Sequence, residues 1–221
     1  MIKLYVSGYV GNLGTKVLID EKQDELVKQF NHEFITHIKN QIEESLSEGG
    51  FNPSLIMSSR GDEVSICRGE QCEPDDLKIV DSEPIAKGGI LTALWKLCDR
   101  NKWGLRYSLR EIPILQGTVE IANYFDINPY RLLTKNSYII ACGDDEKNCR
   151  GELCEHEKGR GELCEPEKSR GELCEPSLIY IGDITNTKKR VRIDGEAEAF
   201  LTKDYKDEID KIIKGYTKSN G

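Results

Sequence analysis

Cysteines beside glutamates are the chemically reactive feature that recurs most regularly in this sequence. A cassette of the form Arg-Gly-Glu-Leu-Cys-Glu begins at Arg150, Arg160 and Arg170, with a period of ten residues, and a related cassette begins at Arg68. Thiolates bind soft metal ions, so these cysteines could be metal ligands. Their spacing is wider than the two to four residues that typically separate the ligands of zinc sites. Identical cassettes would also suit a peptide substrate that another enzyme modifies. The residues proposed for metal binding or modification are Cys149, Cys154, Cys164 and Cys174.

The same repeat also has a purely structural interpretation. Each cassette offers one leucine against several charges, so it cannot bury enough apolar surface to offset the entropy lost on ordering. We therefore predict a flexible tandem-repeat insertion over residues 145–177, within a single domain that covers residues 1–221. Because the cost of closing a loop changes slowly with its length, we expect a few glycines to replace residues 147–176 with little change in melting temperature.

Two glycine clusters could bind a phosphate group through their backbone amides. One follows a predicted strand, and the other opens a predicted helix, where unpaired N–H groups and the helix dipole favour an anion. Neither cluster has the pattern of a Walker A loop or of a dinucleotide-binding loop, and plain turns are the alternative interpretation. The residues are Gly11, Gly14 and Thr15 in the first cluster, and Lys87, Gly88 and Gly89 in the second.

Alternating strands and helices must position these residues. Their order predicts an α/β (α+β) fold with a single mixed sheet and flanking helices. In one long predicted helix, over about 20–47, apolar residues recur every four positions from Leu26 to Leu46. A second, over about 88–101, is expected to bury Trp95. The other predicted elements are strands at 2–10, 54–57, 63–66, 77–80, 105–109, 137–142, 178–182 and 189–193, and helices at about 115–125 and 204–214. A hairpin at Asp194-Gly195 is expected to lead into one more strand, which ends at Leu201.

Composition excludes several classes of protein. The formal net charge of −8 argues against general binding of nucleic acid, which depends on clusters of lysine and arginine. No apolar run approaches the ~20 residues that span a membrane, and the N-terminus lacks the pattern of a signal peptide. We therefore expect a cytoplasmic protein whose cysteines are reduced.

Several segments together resemble one known family in order and spacing. They are similar to the C-terminal domain of the hydrogenase maturation factor HypE and its relatives in the aminoimidazole ribonucleotide (AIR) synthetase, or PurM-like, superfamily. The matching segments are 11–26, 88–95, 112–114, 125–133, 181–185 and 194–196, which include Gly88-Gly-Ile-Leu-Thr-Ala-Leu-Trp95 and Phe125-Asp-Ile-Asn-Pro-Tyr-Arg-Leu-Leu133.

The resemblance implies the fold of that domain and a link to ATP. In the family, an N-terminal domain that this chain does not include supplies much of the ATP site. The family motif before the paired glycines is roughly Asp-Val-Thr-Glu-Gly-Gly, whereas this chain has Pro84-Ile-Ala-Lys-Gly-Gly89, without the acid and the hydroxyl. Asp81 lies three residues too early to replace that acid. We therefore expect a degenerate binding or maturation-associated module that handles ATP only with a separate ATP-binding partner domain, or that forms a homodimer.

Two other functions remain open at this point. The chain could be half of a split ATP-dependent maturation enzyme, with Gly88 and Gly89 facing the nucleotide phosphates. It could instead be a carrier domain that displays the repeated segment for modification or metal binding. The sequence assigns no catalytic residue and no cofactor.

Overall fold

The computed structural model describes residues 1–47, 64–66, 75–144, 178–195, 197–203, 206–214 and 216. The repeat lies outside these residues, together with Cys149, Cys154, Cys164 and Cys174 and the strand expected at 54–57. Their proposed roles therefore stay predictions. Within the described ranges, no helix has the length and apolar character that crossing a lipid bilayer requires.

One mixed sheet of eight strands forms the centre of the fold. The strands are β1 (Ile2–Ser7), β2 (Val64–Ile66), β3 (Asp75–Pro84), β4 (Gly104–Ser108), β5 (Tyr138–Asp144), β6 (Ile179–Thr185), β7 (Arg190–Asp194) and β8 (Ala197–Phe200). They lie in the order β2-β3-β5-β1-β6-β4-β7-β8. Strands β4 and β7 are parallel, and all other neighbours are antiparallel. The predicted fold class is confirmed.

Helices follow the strands in the expected order, but the first helical region is divided. The helices are α1 (Asn12–Glu21), α2 (Gln23–Gln29), α3 (His32–Ser47), α4 (Gly89–Asn101), α5 (Gln116–Tyr124) and α6 (Ile209–Ile212), with a 3₁₀ turn at Pro129–Arg131. The single helix predicted over 20–47 is therefore wrong. The helix is interrupted at Asn31, because the side-chain Oδ1 of Asn31 accepts a hydrogen bond from the Phe34 amide at 2.7 Å and so caps the start of α3.

Two apolar cores hold the sheet and helices together. Alternate residues of β1, such as Leu4 and Val6, bury one face of the sheet against Leu94 and Leu97 of α4. A separate cluster packs α1, α3 and α5 against each other and includes Ile209 of α6. On the other face of the sheet, Tyr5, Ile140 and Cys142 form a small buried group.

Trp95 is less buried than the apolar pattern of its helix suggests. It is partly exposed and only borders the core. The guanidinium of Arg190 lies 4.1 Å from the centre of its ring, which places a cation against the aromatic face. A cation–π contact therefore links α4 to β7 at this point, and the predicted burial of Trp95 is met only in part.

Asp81 joins β3 to the C-terminal end of α4. Arg100 donates to both oxygens of Asp81, at 2.9 Å, and to Glu83, at 2.7 Å, while Asn101 also donates to Asp81. Burial would raise the pKa of Asp81, but the hydrogen bonds from Asn101, Arg100 and the Ser82 amide outweigh it and hold the pKa below the ordinary 3.8. A helix of thirteen residues is about 20 Å long, so Asp81 lies far from Gly88 and does not replace the missing acid.

We expect Arg100→Ala to lower the free energy of unfolding by about 1 kcal/mol at neutral pH, because a half-exposed but forked ion pair is lost. The lowered pKa means that this stabilisation is present above the unfolded pKa of Asp81 and is lost as pH falls through the folded value. Urea titrations should therefore show a smaller difference between variant and parent at acid pH, well below the folded pKa of Asp81, than at pH 7. Lys102→Ala, whose side chain is 76% exposed, is the matched control. A difference of the same size at both pH values would contradict this assignment.

Candidate functional site

The paired glycines form a tight turn that opens α4, as the sequence predicted. Gly88 has φ 79° and Gly89 has φ 65°, both in the left-handed region that side chains disfavour. The chain also passes very close at this point. A Cβ on Gly89 would lie 2.3 Å from the Tyr130 carbonyl oxygen and 2.8 Å from the Arg131 Cα. Two constraints, backbone angle and contact distance, therefore require glycine here.

An internal carboxylate occupies the N-terminus of α4. The Gly88 amide donates to Oδ2 of Asp207 at 2.8 Å, and Oδ1 of the same carboxylate accepts the Ile209 amide at 3.1 Å. Asp207 is only 4% exposed. Burial raises the pKa of its carboxyl above the ordinary 3.8, while hydrogen bonds from the amides of Gly88, Ile209 and Leu133 oppose that rise. The amide that was expected to face a phosphate thus donates to a carboxylate of the same chain.

The neighbouring Glu208 holds the same segment in place through ion pairs. Its side chain is 2% exposed and forms ion pairs with Arg131, at 3.2 Å, and with Lys211. Its backbone amide donates to the Arg131 carbonyl at 3.3 Å. A buried carboxylate is tolerated only where opposite charge and hydrogen bonds compensate its lost hydration, and both are present. Asp207 and Glu208, which we call the acidic clasp, therefore join α6 to α4 and to the 3₁₀ turn.

The first glycine cluster lies against the segment that contains the same turn. The Gly11 amide donates to Thr134 Oγ1 at 2.9 Å, and the Gly14 amide donates to the Leu133 carbonyl at 2.7 Å. The Thr15 hydroxyl donates to the Gly11 carbonyl at 2.8 Å. All three residues of the cluster are buried. The structure thus brings both clusters against residues 129–134, and each supplies at least one amide to an internal acceptor.

Lys87 is the predicted phosphate residue that stays at the surface, where its side chain is exposed. Phosphate binding by Lys87, Gly88 and Gly89, and by Gly11, Gly14 and Thr15, stays a prediction. The acidic clasp was missed because the sequence Asp-Tyr-Lys-Asp-Glu-Ile-Asp resembles the solvated face of a last helix. The useful signal was Asp207 two residues before Ile209, because an aspartate side chain often accepts the backbone amide two residues further along the chain.

The described cysteines behave as structural residues. Cys98 and Cys142 are buried, and both are reduced thiols. Burial raises the pKa of Cys98 to about 11, so its thiol stays protonated and unreactive at neutral pH. Among the described residues, no three histidine, cysteine or acidic side chains converge as a metal site would require. The four cysteines assigned to metal binding or modification lie outside this part of the chain.

A recess of about 450 Å³ lies beside strands β4, β6 and β7 and was not foreseen from the sequence. Arg106, Tyr180 and Asp183 are among the polar residues that line it. Tyr180 donates its hydroxyl to Asp183 at 2.8 Å, and Arg106 pairs with Glu198 at 3.4 Å. Burial and then the Asp183 carboxylate raise the pKa of Tyr180 to about 12, so the phenol is not a general base near neutral pH.

Comparison with known proteins identifies the fold but not a sequence family. The sequence matches no protein-family model and no curated protein. Among solved structures, it is similar to E. coli HypE, a hydrogenase maturation protein, with a TM-score of 0.54, 12% identity and 93% of this chain covered. A HypE structure in complex with ATP matches with a TM-score of 0.52 and 12% identity over 94% of this chain, and a HypE–HypF complex with 0.51 and 11% over 92%.

The chain spans about half the length of these structures, with 51% to 53% of each covered. At such low identity the likeness shows the fold alone. At that level it confirms the predicted likeness to HypE.

Proposed function

We propose that this chain is a HypE-like binding module that works with a separate ATP-binding domain in a maturation process. The likeness to about half of a HypE structure that holds ATP supports a role beside a nucleotide site. The observation that carries the proposal is the hydrogen bond from the Gly88 amide to Asp207. Because that amide already has an acceptor, the α4 start contributes structure to such an assembly and not a ready-made phosphate contact.

The residues that precede the paired glycines favour a binding role over catalysis. Phosphoryl transfer depends on positioned charges and metal ions around the phosphates. Ile85 is buried in the core, and Pro84 and Ala86 carry no charge or hydroxyl. The two nearest acids upstream in the same strand are Glu83 and Asp81. Asp81 pairs with Arg100 at the opposite end of α4. The proposal places the module in the cytoplasm, where Cys98 and Cys142 would remain reduced thiols.

We expect the purified chain alone to hydrolyse no measurable ATP in the presence of Mg²⁺. Phosphate release should equal that of a buffer blank, and Lys87→Ala should leave it unchanged. The preparation's fold is checked by a cooperative thermal transition. Robust turnover that Lys87→Ala abolishes would overturn the proposal and favour a catalytic role for the second glycine cluster.

The partner is tested in the native cells with a photoreactive ATP analogue. A tagged copy of the chain is crosslinked, purified and separated from its partners after labelling. We expect the label on a co-purified protein and not on the chain alone. Label on the isolated chain, or a chain that sediments only as a homodimer without labelled partner, would contradict a separate ATP-binding domain.

A carrier function is the second candidate, favoured by the identical Gly-Glu-Leu-Cys-Glu cassettes at Cys154, Cys164 and Cys174. Mass spectrometry of the chain isolated from its own cells distinguishes the two. Equal mass additions on each cassette would support the carrier function, whereas an unmodified chain would favour the binding module.

A further inference from the structure

We propose that a recess beside Trp103 is a docking site for an acidic peptide segment of a partner protein, anchored by one apolar side chain. Trp103 follows the C-terminal end of α4, so this surface lies at the opposite end of that helix from the paired glycines. The recess would bind the apolar anchor, and basic residues beside it would bind the flanking carboxylates. The inference does not depend on the proposed ATP-binding partner.

The recess has a volume of about 410 Å³ and a mostly apolar lining. Trp103, Ile2 and Ile184 are only partly buried where they pack against the sheet core, and Met1 beside them is 73% exposed. An indole that is half in the core and half at the surface is a typical anchor point of a protein interface. The residues that line the recess are Met1, Ile2, Trp103, Ile184, Thr185 and Asn186.

The tryptophan and the turn that borders it are held together before any partner binds. The Leu105 amide donates to the Lys189 carbonyl at 2.8 Å, and Nε of Arg190 donates to the Trp103 carbonyl at 3.4 Å. A Cβ on Gly104 would overlap the Thr187 carbonyl oxygen, so the turn lies directly against the start of β4. A site that is already formed loses less conformational entropy on binding than one that a ligand must order.

Basic residues flank the recess on two segments of the chain. Lys188 and Lys189 follow the lining residue Asn186 and are exposed. Lys102 precedes Trp103, and its side chain is 76% exposed. Within the described ranges, neither Lys188 nor Lys189 forms an ion pair. Their ammonium groups are therefore available to the carboxylates of a partner.

The charge beside the recess is opposite in sign to that of the whole chain. Asp99 offsets part of it, because Asp99 pairs with Arg190 at 3.5 Å and with Lys102 at 3.9 Å. The remaining cations attract carboxylates, whereas the net charge of −8 repels a long polyanion such as nucleic acid. Exposed ion pairs contribute little by themselves, so the apolar anchor must supply most of the affinity. A short acidic segment with one large apolar side chain meets both conditions.

A library of short random peptides tests the chemistry of the ligand without assuming its sequence. The phage-displayed library is selected on the immobilised full chain and, in parallel, on Lys188→Glu/Lys189→Glu. We expect peptides selected on the parent to combine aspartate or glutamate with leucine or an aromatic residue, and the double variant to lose the acidic preference. Absence of enrichment over the double variant, or enrichment of basic or uncharged peptides on the parent, would overturn the proposal.

Binding constants of the most enriched peptide locate the site. With a fluorescent label on the peptide and salt at about 0.15 M, anisotropy should show at least about tenfold weaker binding to Lys188→Glu/Lys189→Glu and to Trp103→Ala. The matched control is Lys28→Glu/Lys214→Glu, which makes the same charge change at exposed positions in α2 and after α6 and should have little effect. Equal weakening by the two charge-reversed pairs would reveal a general effect of net charge and overturn the proposal.

The fluorescence of Trp103 decides the case if Trp103→Ala fails to fold. An unlabelled peptide without tryptophan should shift the emission of the parent to shorter wavelength, because its apolar side chain removes water from the indole. Trp95→Phe should keep this shift, since Trp103 is then the one tryptophan of the chain. Emission that does not change would overturn the proposal. An oligothymidylate that displaces the labelled peptide at lower concentration than the unlabelled peptide would also overturn it, in favour of nucleic acid.

Discussion

Gly89→Ala is expected to lower the free energy of unfolding by about 2–4 kcal/mol. The left-handed backbone at φ 65° costs alanine about 1 kcal/mol relative to glycine. The added Cβ would also lie 2.3 Å from the Tyr130 carbonyl oxygen and 2.8 Å from the Arg131 Cα. These neighbours are backbone atoms that cannot rotate away, and overpacking of this kind typically costs about 1–3 kcal/mol more.

Gly195→Ala is the matched control for this substitution. Its φ of 62° is nearly the same, but no atom lies within 4 Å of the added Cβ. We therefore expect a loss of only about 1 kcal/mol, the cost of the backbone angle alone. Urea unfolding followed by tryptophan fluorescence measures both variants. Equal losses of stability in the two variants would mean that the start of α4 does not lie as close to the 3₁₀ turn as the structure shows.

Features set by neighbouring residues were predicted well from the sequence. The paired glycines were correctly placed at a helix start because a turn of this kind depends on two residues and the apolar stripe that follows them. The division of the 20–47 region was missed although Asn31 is also a local signal. The recurring apolar positions from Leu26 to Leu46 indicated one continuous helix, and the side-chain cap at Asn31 prevails over that periodicity.

Features that depend on distant residues could not be predicted. The contact of Gly88 with Asp207 joins positions 119 residues apart, and that of Gly11 with Thr134 joins positions 123 apart. In sequence, the two glycine clusters looked like separate phosphate loops. Only the fold shows that both lie against residues 129–134 and that the amides of Gly11, Gly14 and Gly88 have internal acceptors.

The strand order also changes what is expected of the repeat. Strands β5 and β6 both run antiparallel to β1, one on each side, so they are parallel to each other. Gly143, near the end of β5, lies beside Ile2, whereas Ile179, at the start of β6, lies beside Val6. Any connection must therefore return along about 13 Å of strand and cross about 10 Å of sheet. This path argues against a linker of only a few glycines.

Replacing residues 147–176 with three glycines is therefore expected to abolish cooperative unfolding or to lower the stability by several kcal/mol. Parallel strands need a crossover of roughly a dozen residues or more, and this variant leaves about half that number. Replacing the same residues with about fifteen glycines and serines meets the length requirement and should keep the melting temperature within a few degrees.

Both variants lack the repeat, so circular dichroism melts that compare them measure the effect of linker length alone. If both unfold alike near the parent's temperature, the parallel arrangement of β5 and β6 about β1 is contradicted. If both fail, residues 147–176 contribute to the core, and their predicted dispensability is contradicted instead.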